Sequence, residues 1–257
     1  GIIKENCPVL VGPNVPHETL RQCAKERRAS KYWTCEEILG GMDGDAEDYN
    51  IENSRIACAA LKLLHESHPQ AMASDLPSQE ELMEVTSIRP PCRFEEIVLN
   101  DGKRVILDVA HNPPAMNYLV RKLPKDQPVR MIVGMSSDKD LVLCGKAVRE
   151  ATSNIHLVQA AHPRAAKLDA ILEANPDWKE DESIHYNKED PSVTYQVKKA
   201  LELVENPNEI LVVCGSVFLM AETREALGID EPRDSPYIAA MAGAGVRFAQ
   251  ENCGVKK

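Results

Sequence analysis

Aromatic side chains are scarce in this chain of 257 residues: three Phe, two Trp and six Tyr make up 4% of it. A core built from this sequence must therefore be mostly aliphatic. Basic residues are also in the minority, with 30 Lys and Arg against 40 Asp and Glu and a formal net charge of −10. Because nucleic-acid phosphates are bound by a basic face, this balance argues against nucleic acid as a partner. It does not restrict small anionic ligands, which are held by local groups.

Long apolar runs and targeting segments are absent as well. No stretch approaches the about 20 apolar residues that cross a membrane, so no membrane partner is expected. No secretory signal opens the chain. The chain begins at Gly1, without Met, inside an apolar stretch, which we interpret as the start of a fragment or of a processed product.

The eight cysteines lack the spacing of a metal site. No Cys-x-x-Cys pair occurs, so zinc is not predicted. Cys58 and Cys214 lie inside apolar runs, where a free thiol behaves as a small buried hydrophobe. We therefore expect a reducing compartment, the cytoplasm, with the mitochondrion left open.

The pattern along the chain predicts two domains and a tail. Residues 1–88 carry an apolar strand, several helical segments and a loop rich in Gly and Asp. Arg89-Pro90-Pro91 then breaks the chain, because proline removes a hydrogen-bond donor and disfavours helix before it. Residues 92–230 alternate short apolar runs with helical segments, which is typical of a parallel sheet covered on both faces. Residues 231–257 form the tail, with a helix predicted around 237–251.

Two helix predictions in the first domain rest on particular residues. Ser78-x-x-Glu81 is a capping-box pattern and predicts a helix that starts after Ser78. A longer helix over residues 53–65, with Asn53 at its start, is predicted from apolar residues at a helical period. These apolar residues are Ile56, Ala57, Ala60, Leu61 and Leu64.

Four polar turns follow predicted strands of the second domain. The carboxyl ends of parallel strands meet at one edge of the sheet, and ligands bind there where the strand order switches. We therefore expect these turns to converge on one site. The turns run from Asp108 to Pro114, from Gly134 to Asp140, from Ala161 to Ala166 and from Cys214 to Phe218.

The residues of the first two turns each allow a functional and a plainer interpretation. Asp108 could accept hydrogen bonds from ribose hydroxyls, or it only caps a helix. His111 could donate to a carboxylate or phosphate, or it is simply exposed. Asp138 and Lys139 suit polar ligand contacts, or they belong to an ordinary helix start with solvated charges.

The other candidates allow the same choice. Arg164 could clamp a carboxylate with two hydrogen bonds, or it is solvated. Ser216 and the amides after it would face an anion, or Ser216 is a plain helix cap. Outside the turns, Arg93 directly follows the interdomain break and could reach a cleft, or it lies on the surface. Asn53 could contact a ligand, or it is a plain cap at a helix start.

Taken in order, these segments resemble the dihydrofolate synthase and folylpolyglutamate synthase family of the Mur ligase superfamily. One segment is Arg-Val-Ile-Leu-Asp-Val-Ala-His-Asn-Pro at residues 104–113. Its Asp-x-Ala-His-x-Pro turn alone is shared with other Mur-type ligases, and the ordered set of segments is much more specific. A weaker match is His-Pro-Arg-Ala at residues 162–165. Five further segments fit the family, at residues 1–4, 53–57, 91–95, 134–140 and 212–216.

The resemblance implies an ATP-dependent carboxylate–amine ligase, which adds L-glutamate to a folate or pteroate substrate through an acyl phosphate. It also implies an α/β fold, in which a Rossmann-like C-terminal domain with a mostly parallel sheet follows the end of a Mur-ligase-type central ATPase domain. On this basis residues 1–88 would be the remnant of the ATP-binding domain, and residues 92–230 the glutamate-binding domain. ATP and Mg²⁺ are the implied cofactors.

The resemblance also implies roles for single residues. Arg93 resembles an arginine that reaches the phosphates of ATP, Asp108 a residue on the ribose, and Asn53 an asparagine near the adenine. His111 and Ser216 resemble residues that line the glutamate site. The further candidates, whose roles the family does not supply, are Asp138, Lys139 and Arg164.

Two departures from the family pattern limit these expectations. No Gly-x-x-x-x-Gly-Lys-Ser/Thr occurs in the chain, and the resemblance places the Mg²⁺ ligands ahead of residues 1–4. We therefore expect the chain alone to be inactive, and to self-associate through the surface that the missing part covers. Cys92 also stands where the family usually has Gly.

Two alternatives stay open. One is a non-catalytic α/β module that binds a ligand or a protein partner, and the other is a different Mur-type amino-acid ligase. The sequence also leaves open whether the first glutamate is added, the glutamate chain is extended, or both.

Overall fold

The computed structural model describes residues 2–40, 49–68, 70 and 75–229. The chain divides into two compact units between Pro90 and Pro91. The predicted tail with its helix lies outside the described residues, as does most of the predicted loop rich in Gly and Asp.

The first unit combines a small parallel sheet with helices. Strand β1 (Pro8–Val11) pairs in parallel with β2 (Lys31–Thr34). Thr34 and Ser78 each cap a helix through a complete capping box, which confirms the prediction made for Ser78. The helices are α1 (His17–Glu26), α2 (Cys35–Leu39), α3 (Tyr49–Ser67) and α4 (Gln79–Thr86).

Helix α3 differs from its prediction in two respects. It begins at Tyr49, so Asn53 lies inside the helix on an exposed position and is not a helix start. Its fully buried residues are Ser54, Cys58 and Ala59, whereas Leu64 is 52% exposed. Helix α3 packs against α2, α4 and β1, and small side chains at such contacts let the backbones approach closely. The larger aliphatic residues therefore lie at the margins.

The second unit contains a six-stranded sheet in the order β3-β4-β8-β5-β6-β7. The sheet is parallel except for β3, which pairs antiparallel with β4 at one edge. The expected α/β class with a mostly parallel sheet is therefore confirmed, whereas edge strands β3 and β7 were not predicted. The strands are β3 (Glu95–Val98), β4 (Arg104–Leu107), β5 (Val129–Val133), β6 (Ile155–Leu157), β7 (Ile184–His185) and β8 (Ile210–Cys214).

Helices cover both faces of this sheet. Alternate residues of β5 point to opposite faces, with Met131 and Val133 in one buried cluster and Ile132 in the other. One cluster includes residues of α5, α6 and α7, and the other includes residues of α8 and α9. The helices are α5 (Pro113–Lys122), α6 (Leu141–Ala151), α7 (Leu168–Ala174), α8 (Val193–Leu203) and α9 (Met220–Ala226).

Side-chain caps define where the major helices of this unit begin. Asn112 accepts a hydrogen bond from the Ala115 amide at the start of α5, and Asp140 and Ser192 cap α6 and α8 in the same way. Each cap satisfies an amide that the helix itself leaves unpaired. The polar turns that end the strands are therefore also the points at which the helices start.

Two further features of the described ranges concern apolar helices and thiols. None of their helices combines the length and apolar character needed to cross a membrane. The cysteines in these ranges carry free thiols, and Cys58 and Cys214 are fully buried.

Candidate ligand site at the carboxyl edge of the sheet

The four polar turns of the second unit meet at one edge of the sheet. Strands β4, β8, β5 and β6 are mutually parallel neighbours, so their carboxyl ends lie side by side. Strands β4 and β5 are consecutive in the sequence of parallel strands but are not neighbours in the sheet, because β8 lies between them. Such a change in strand order opens the crevice in which α/β proteins bind ligands.

Direct contacts join the first, second and fourth turns. The Gly215 amide donates to the Ala110 carbonyl at 2.8 Å, and the Gly134 amide donates to the Cys214 carbonyl at 3.3 Å. Gly215 has φ +110°, and a Cβ atom placed on it would lie 2.3 Å from the Gly134 carbonyl oxygen. Only glycine fits this approach, so the position of the Ser216 turn depends on it.

The third turn is bonded to the second and the fourth. The Ser137 amide donates to the Arg164 carbonyl at 2.8 Å, and the Arg164 side chain donates to Asp138 Oδ2 at 3.1 Å. On the other side, the His162 ring stacks on Phe218 with ring centroids 3.5 Å apart. The four turns therefore form one connected surface.

Asp108 is buried and bonded to backbone amides. Its Oδ1 accepts from Ala110 at 2.7 Å and its Oδ2 accepts from Phe94 at 2.8 Å. Desolvation raises the pKa of this carboxyl, although the two amides and the charge of Arg93 act in the opposite direction. The plainer interpretation of Asp108 as the helix cap is wrong, because Asn112 caps α5.

His111 is half-buried and its ring orientation is fixed. Its Nδ1 lies 2.9 Å from the Val109 carbonyl oxygen. A carbonyl only accepts, so Nδ1 carries a proton. Nε2 then accepts a hydrogen bond when the ring is neutral, and donates to an anion only when the ring is doubly protonated. The predicted donation to a carboxylate or phosphate therefore requires the charged ring.

Ser216 caps the short 3₁₀ turn that leads into α9. Its Oγ accepts from the Phe218 amide at 3.2 Å, and the residue is buried. The plain-cap interpretation is thus what the geometry shows. The hydroxyl proton is a separate donor that the cap does not use.

In the second and third turns Asp138 and Arg164 are exposed, and Lys139 is partly buried. The hydrogen bond from Arg164 lowers the pKa of Asp138, with a smaller contribution from Lys139. The Lys139 ammonium lies 3.4 Å from the same carboxylate oxygen. Because both ion pairs are open to water, they contribute little to stability. The guanidinium of Arg164 is therefore held near the turns by a weak contact.

The two candidates outside the turns lie in different units. Arg93 is exposed, directly after the unit boundary, between Cys92 and Phe94, which have φ values of +63° and +51°. Asn53 is exposed on α3 in the first unit. Sequence reasoning assigned no function to Phe218 or Glu222. Glu222 Oε1 accepts from the Ala161 amide at 2.9 Å, and burial raises the pKa of its carboxyl.

Neither of these two residues had a sequence signal that would single it out. Phe218 is one of only three phenylalanines, and it follows a strand end, which is the one pattern that could have drawn attention to it. Glu222 lies within α9 and reaches the third turn only through the tertiary fold.

Residues 92–217 match the family model of the Mur ligase glutamate ligase domain. The second unit is therefore a Mur-ligase-type domain. The curated folylpolyglutamate synthase of Lacticaseibacillus casei is 26% identical over 251 residues, which cover 88% of this chain and 55% of that protein. The dihydrofolate synthase/folylpolyglutamate synthase of Escherichia coli is 27% identical over 248 residues, covering 88% and 53%.

Solved structures agree with these relatives. A bifunctional folylpolyglutamate synthase/dihydrofolate synthase from Yersinia pestis is 26% identical, covers 89% of this chain and 54% of that chain, and superposes with a TM-score of 0.62. Another structure of such a bifunctional enzyme, with Mn, AMPPNP and L-glutamate bound, covers 89% and 55% at 24% identity with a TM-score of 0.63. At this level of identity, the similarity to the second structure shows that the fold is shared.

The second unit thus carries a Mur ligase glutamate ligase domain, and the chain is similar to dihydrofolate synthases and folylpolyglutamate synthases. It spans about half the length of the curated relatives it matches, 53–56%.

Proposed function

We propose that this chain is part of an ATP-dependent ligase that adds L-glutamate to a folate or pteroate substrate. The observation that carries the proposal is the joining of four polar turns at the carboxyl edge, inside the region that matches the glutamate ligase domain. The names of the curated relatives support the substrate class. The L-glutamate bound in one structural neighbour agrees with it.

The chemistry of such a ligase explains why cations and amides are needed at this edge. A carboxylate is a poor acyl donor until one of its oxygens becomes a phosphate. We propose that ATP phosphorylates the pteroate or folate carboxylate, and that the amine of glutamate then attacks the acyl phosphate. Negative charge develops on the transferring phosphoryl group and on the tetrahedral intermediate, and preorganised donors stabilise it. Arg93 is the exposed cation that we assign to the phosphates.

Glutamate would be held by the first, third and fourth turns. The Ser216 hydroxyl proton is available to a ligand carboxylate, because the cap at Phe218 uses only the oxygen as an acceptor. His111 in its charged form and Arg164 are the further donors that we assign to the two carboxylates of glutamate. Asp108 accepts from the Phe94 amide and so holds the turn before β3. We also assign to Asp108 a contact with the ribose of ATP. Asn53 remains the proposed residue near the adenine.

Phosphoryl transfer requires a metal and a phosphate cradle in addition to these residues. The described ranges contain no group of three or more His, Cys, Asp or Glu that could hold a metal ion, and the sequence contains no Gly-x-x-x-x-Gly-Lys-Ser/Thr loop that would cradle the phosphates. We therefore propose that this chain by itself has no ligase or ATPase activity. The test incubates the chain with ATP, Mg²⁺, a folate and glutamate, and any folate-dependent product above a no-protein blank contradicts the proposal.

Binding of glutamate tests the site directly. The Ser216→Ala variant should bind L-glutamate about ten- to a hundredfold more weakly, because a hydrogen bond to a charged group is lost. Isothermal titration or NMR titration with L-glutamate and L-alanine measures this loss and the preference for the dicarboxylate. Ser192→Ala is the matched control, since Ser192 caps α8 in the same way but belongs to none of the four turns.

Two results of this titration would contradict the glutamate site. One is unchanged affinity in Ser216→Ala, and the other is equal binding of L-alanine and L-glutamate by the unmodified chain. A preference for a different amino acid would favour another Mur-type ligase.

We also propose that the chain self-associates through its first unit. Large apolar side chains are exposed there, and such exposure favours association. A single monomeric species at all concentrations in sedimentation velocity would contradict this. The exposed residues are Ile2, Leu64, Val85 and Ile88.

A further inference from the structure

The turn at residues 92–94, here called the Arg93 turn, has an unusual backbone conformation. The residues on both sides of Arg93, Cys92 and Phe94, adopt the left-handed conformation, which residues with a Cβ atom rarely occupy. Such a conformation persists only where surrounding contacts determine it. The shape of this turn therefore depends on identifiable partners.

Three hydrogen bonds fix the two left-handed residues. The Cys92 amide donates to Glu95 Oε2 at 2.7 Å, and the Cys92 carbonyl accepts from the Val109 amide at 2.9 Å. The Phe94 amide donates to Asp108 Oδ2 at 2.8 Å. A carboxylate thus holds the amide on each side of Arg93.

Arg224 of α9 holds one of these carboxylates. Its Nη1 lies 2.7 Å from Glu95 Oε2, the same oxygen that accepts from Cys92. The side chains of Arg224 and Glu95 are only 11% and 27% exposed, so water does not screen this pair as it would on an open surface. One oxygen of Glu95 therefore accepts from both donors and links Arg224 to the Cys92 amide.

The charge of Glu95 is maintained by the same contacts. Desolvation raises the pKa of this carboxyl, but the hydrogen bonds from Arg224 and from the Cys92 amide outweigh it, and the pKa lies below its ordinary value. Glu95 is therefore ionised at neutral pH and accepts both bonds.

We propose that Arg224 and Glu95 are positioning residues that hold the Arg93 turn in its left-handed form and so set the place of the Arg93 guanidinium. The inference rests on the proposed function, in which Arg93 binds the phosphates of a nucleotide. It adds a connection within the site: α9 follows directly from the turn of Ser216. One element thus carries the glutamate turn and supports the phosphate-binding arginine.

Amide hydrogen exchange tests the support of the turn. In Glu95→Gln and in Arg224→Met, the Cys92 and Phe94 amides should exchange at least about tenfold faster relative to the Val212 amide of β8. Because Glu95 and Arg224 share the contact to the Cys92 amide, the double variant should accelerate exchange by less than the product of the two single effects, although Arg224 Nη1 also lies 3.9 Å from Cys92 Sγ. Unchanged rates at Cys92 and Phe94, or an equal acceleration of Val212, would overturn the proposal.

A matched control separates this effect from the loss of any ion pair. Arg149 pairs with Asp181 in the same unit, away from the Arg93 turn. Arg149→Met should leave the Cys92 and Phe94 amides unchanged. Acceleration of these amides in Arg149→Met would show that the turn responds to general destabilisation, which also overturns the proposal.

Anion binding tests the consequence for Arg93. Titration with inorganic triphosphate should show a loss of about tenfold in Arg93→Ala and a smaller loss in Arg224→Met, with partial recovery in Arg224→Lys. Adding Arg224→Met to Arg93→Ala should cause no further loss, and a further loss would overturn the positioning role. If the unmodified chain does not bind triphosphate, the proposed role of Arg93 fails, whereas the exchange experiment still decides the support of the turn.

Discussion

The two units of this chain bury their apolar residues in different ways. In the second unit, β5 and β8 are buried along their whole length and contribute alternate residues to clusters on both faces of the sheet. In the described part of the first unit, the buried apolar residues are few and mostly small: Val11, Ala24, Cys35, Cys58, Ala59 and Leu82. Because stabilisation scales with apolar area removed from water, the second unit should be the more stable.

The units also differ in the partners of their buried polar side chains. In the second unit, Arg130 lies 3.1 Å from Glu209 and 3.3 Å from His156 Nε2, and His156 Nδ1 lies 2.9 Å from Gln196 Oε1. In the first unit, Ser54 Oγ lies 3.0 Å from the carbonyl oxygens of Asn50 and Thr86, which share its one proton, and it accepts from Arg89 at 3.1 Å. A buried ionic network is strongly destabilised when one member is changed, whereas Arg89, the charged member of the Ser54 network, is only partly buried.

The largest expected effect is a cavity in the core of the second unit. Ile132→Ala should lower the free energy of unfolding of that unit by about 4 kcal/mol, because its side chain is fully buried between the sheet and α8. Leu82→Ala in the first unit should cost about 2 kcal/mol, since the described part of this unit buries few and mostly small apolar residues. Urea unfolding followed by residue-resolved exchange measures both, and equal losses would break the comparison between the units.

A second contrast uses glycines with positive φ. Gly215→Ala should destabilise the second unit by about 3 kcal/mol, because the new Cβ adds a clash with the Gly134 carbonyl to the backbone strain. Gly40→Ala in the first unit should cost only about 1 kcal/mol, since Gly40 has φ +73° and nothing within 4 Å of the added atom. Thermal unfolding measures the two losses. A small loss in Gly215→Ala would show that the turns can separate.

A third contrast concerns pH. Burial lowers the pKa of His156 to about 4 from its ordinary value near 6.5. Between these values the unfolded chain binds a proton that the folded unit does not, so the free energy of unfolding falls as the pH is lowered from about 6.5 to about 4. The loss should reach about 2–3 kcal/mol, and above pH 6.5 this contribution is complete.

The pH effect is measured by urea unfolding at several pH values, together with the ¹⁵N resonances of the His156 ring. The ring should stay neutral in the folded unit down to about pH 4.5. His68→Gln, at an exposed position of the first unit, is the control and should leave the pH profile unchanged. Protonation of the His156 ring near pH 6.5 in the folded unit would contradict the prediction.

Much of the fold of the second unit could be predicted, because continuous apolar runs such as 129–133 and 210–214 leave few alternatives to a buried parallel strand. The short edge strands were missed for a physical reason. Strand β3 alternates intermediate and exposed positions, and β7 has only two residues, so neither carries a run that a sequence pattern can detect. The predicted span 53–65 lies within helix α3, but the buried face differs from the apolar period because close packing decides which residues of this helix are buried.

The location of the candidate site could be predicted from the sequence, but most of the hydrogen bonds within it could not. The rule that parallel strands end at one edge placed Asp108, His111, Asp138, Arg164 and Ser216 there, and the structure has all five at that edge. The inward orientation of Asp108 and the support of Cys92 by Glu95 and Arg224 depend on residues far apart in the chain. No local pattern reports such contacts.

The sequence by itself determined the class of fold, the edge of the sheet at which the polar turns lie and the resemblance to dihydrofolate synthases and folylpolyglutamate synthases. These follow from periodicity, from the direction of parallel strands and from short motifs, all of which are local properties. Only the tertiary structure decided which carboxylates bond to the backbone, which histidine is kept neutral and which arginine supports the Arg93 turn. These depend on burial and on distances between residues such as Arg224 and Glu95, which are 129 positions apart, and burial is a property of the folded chain.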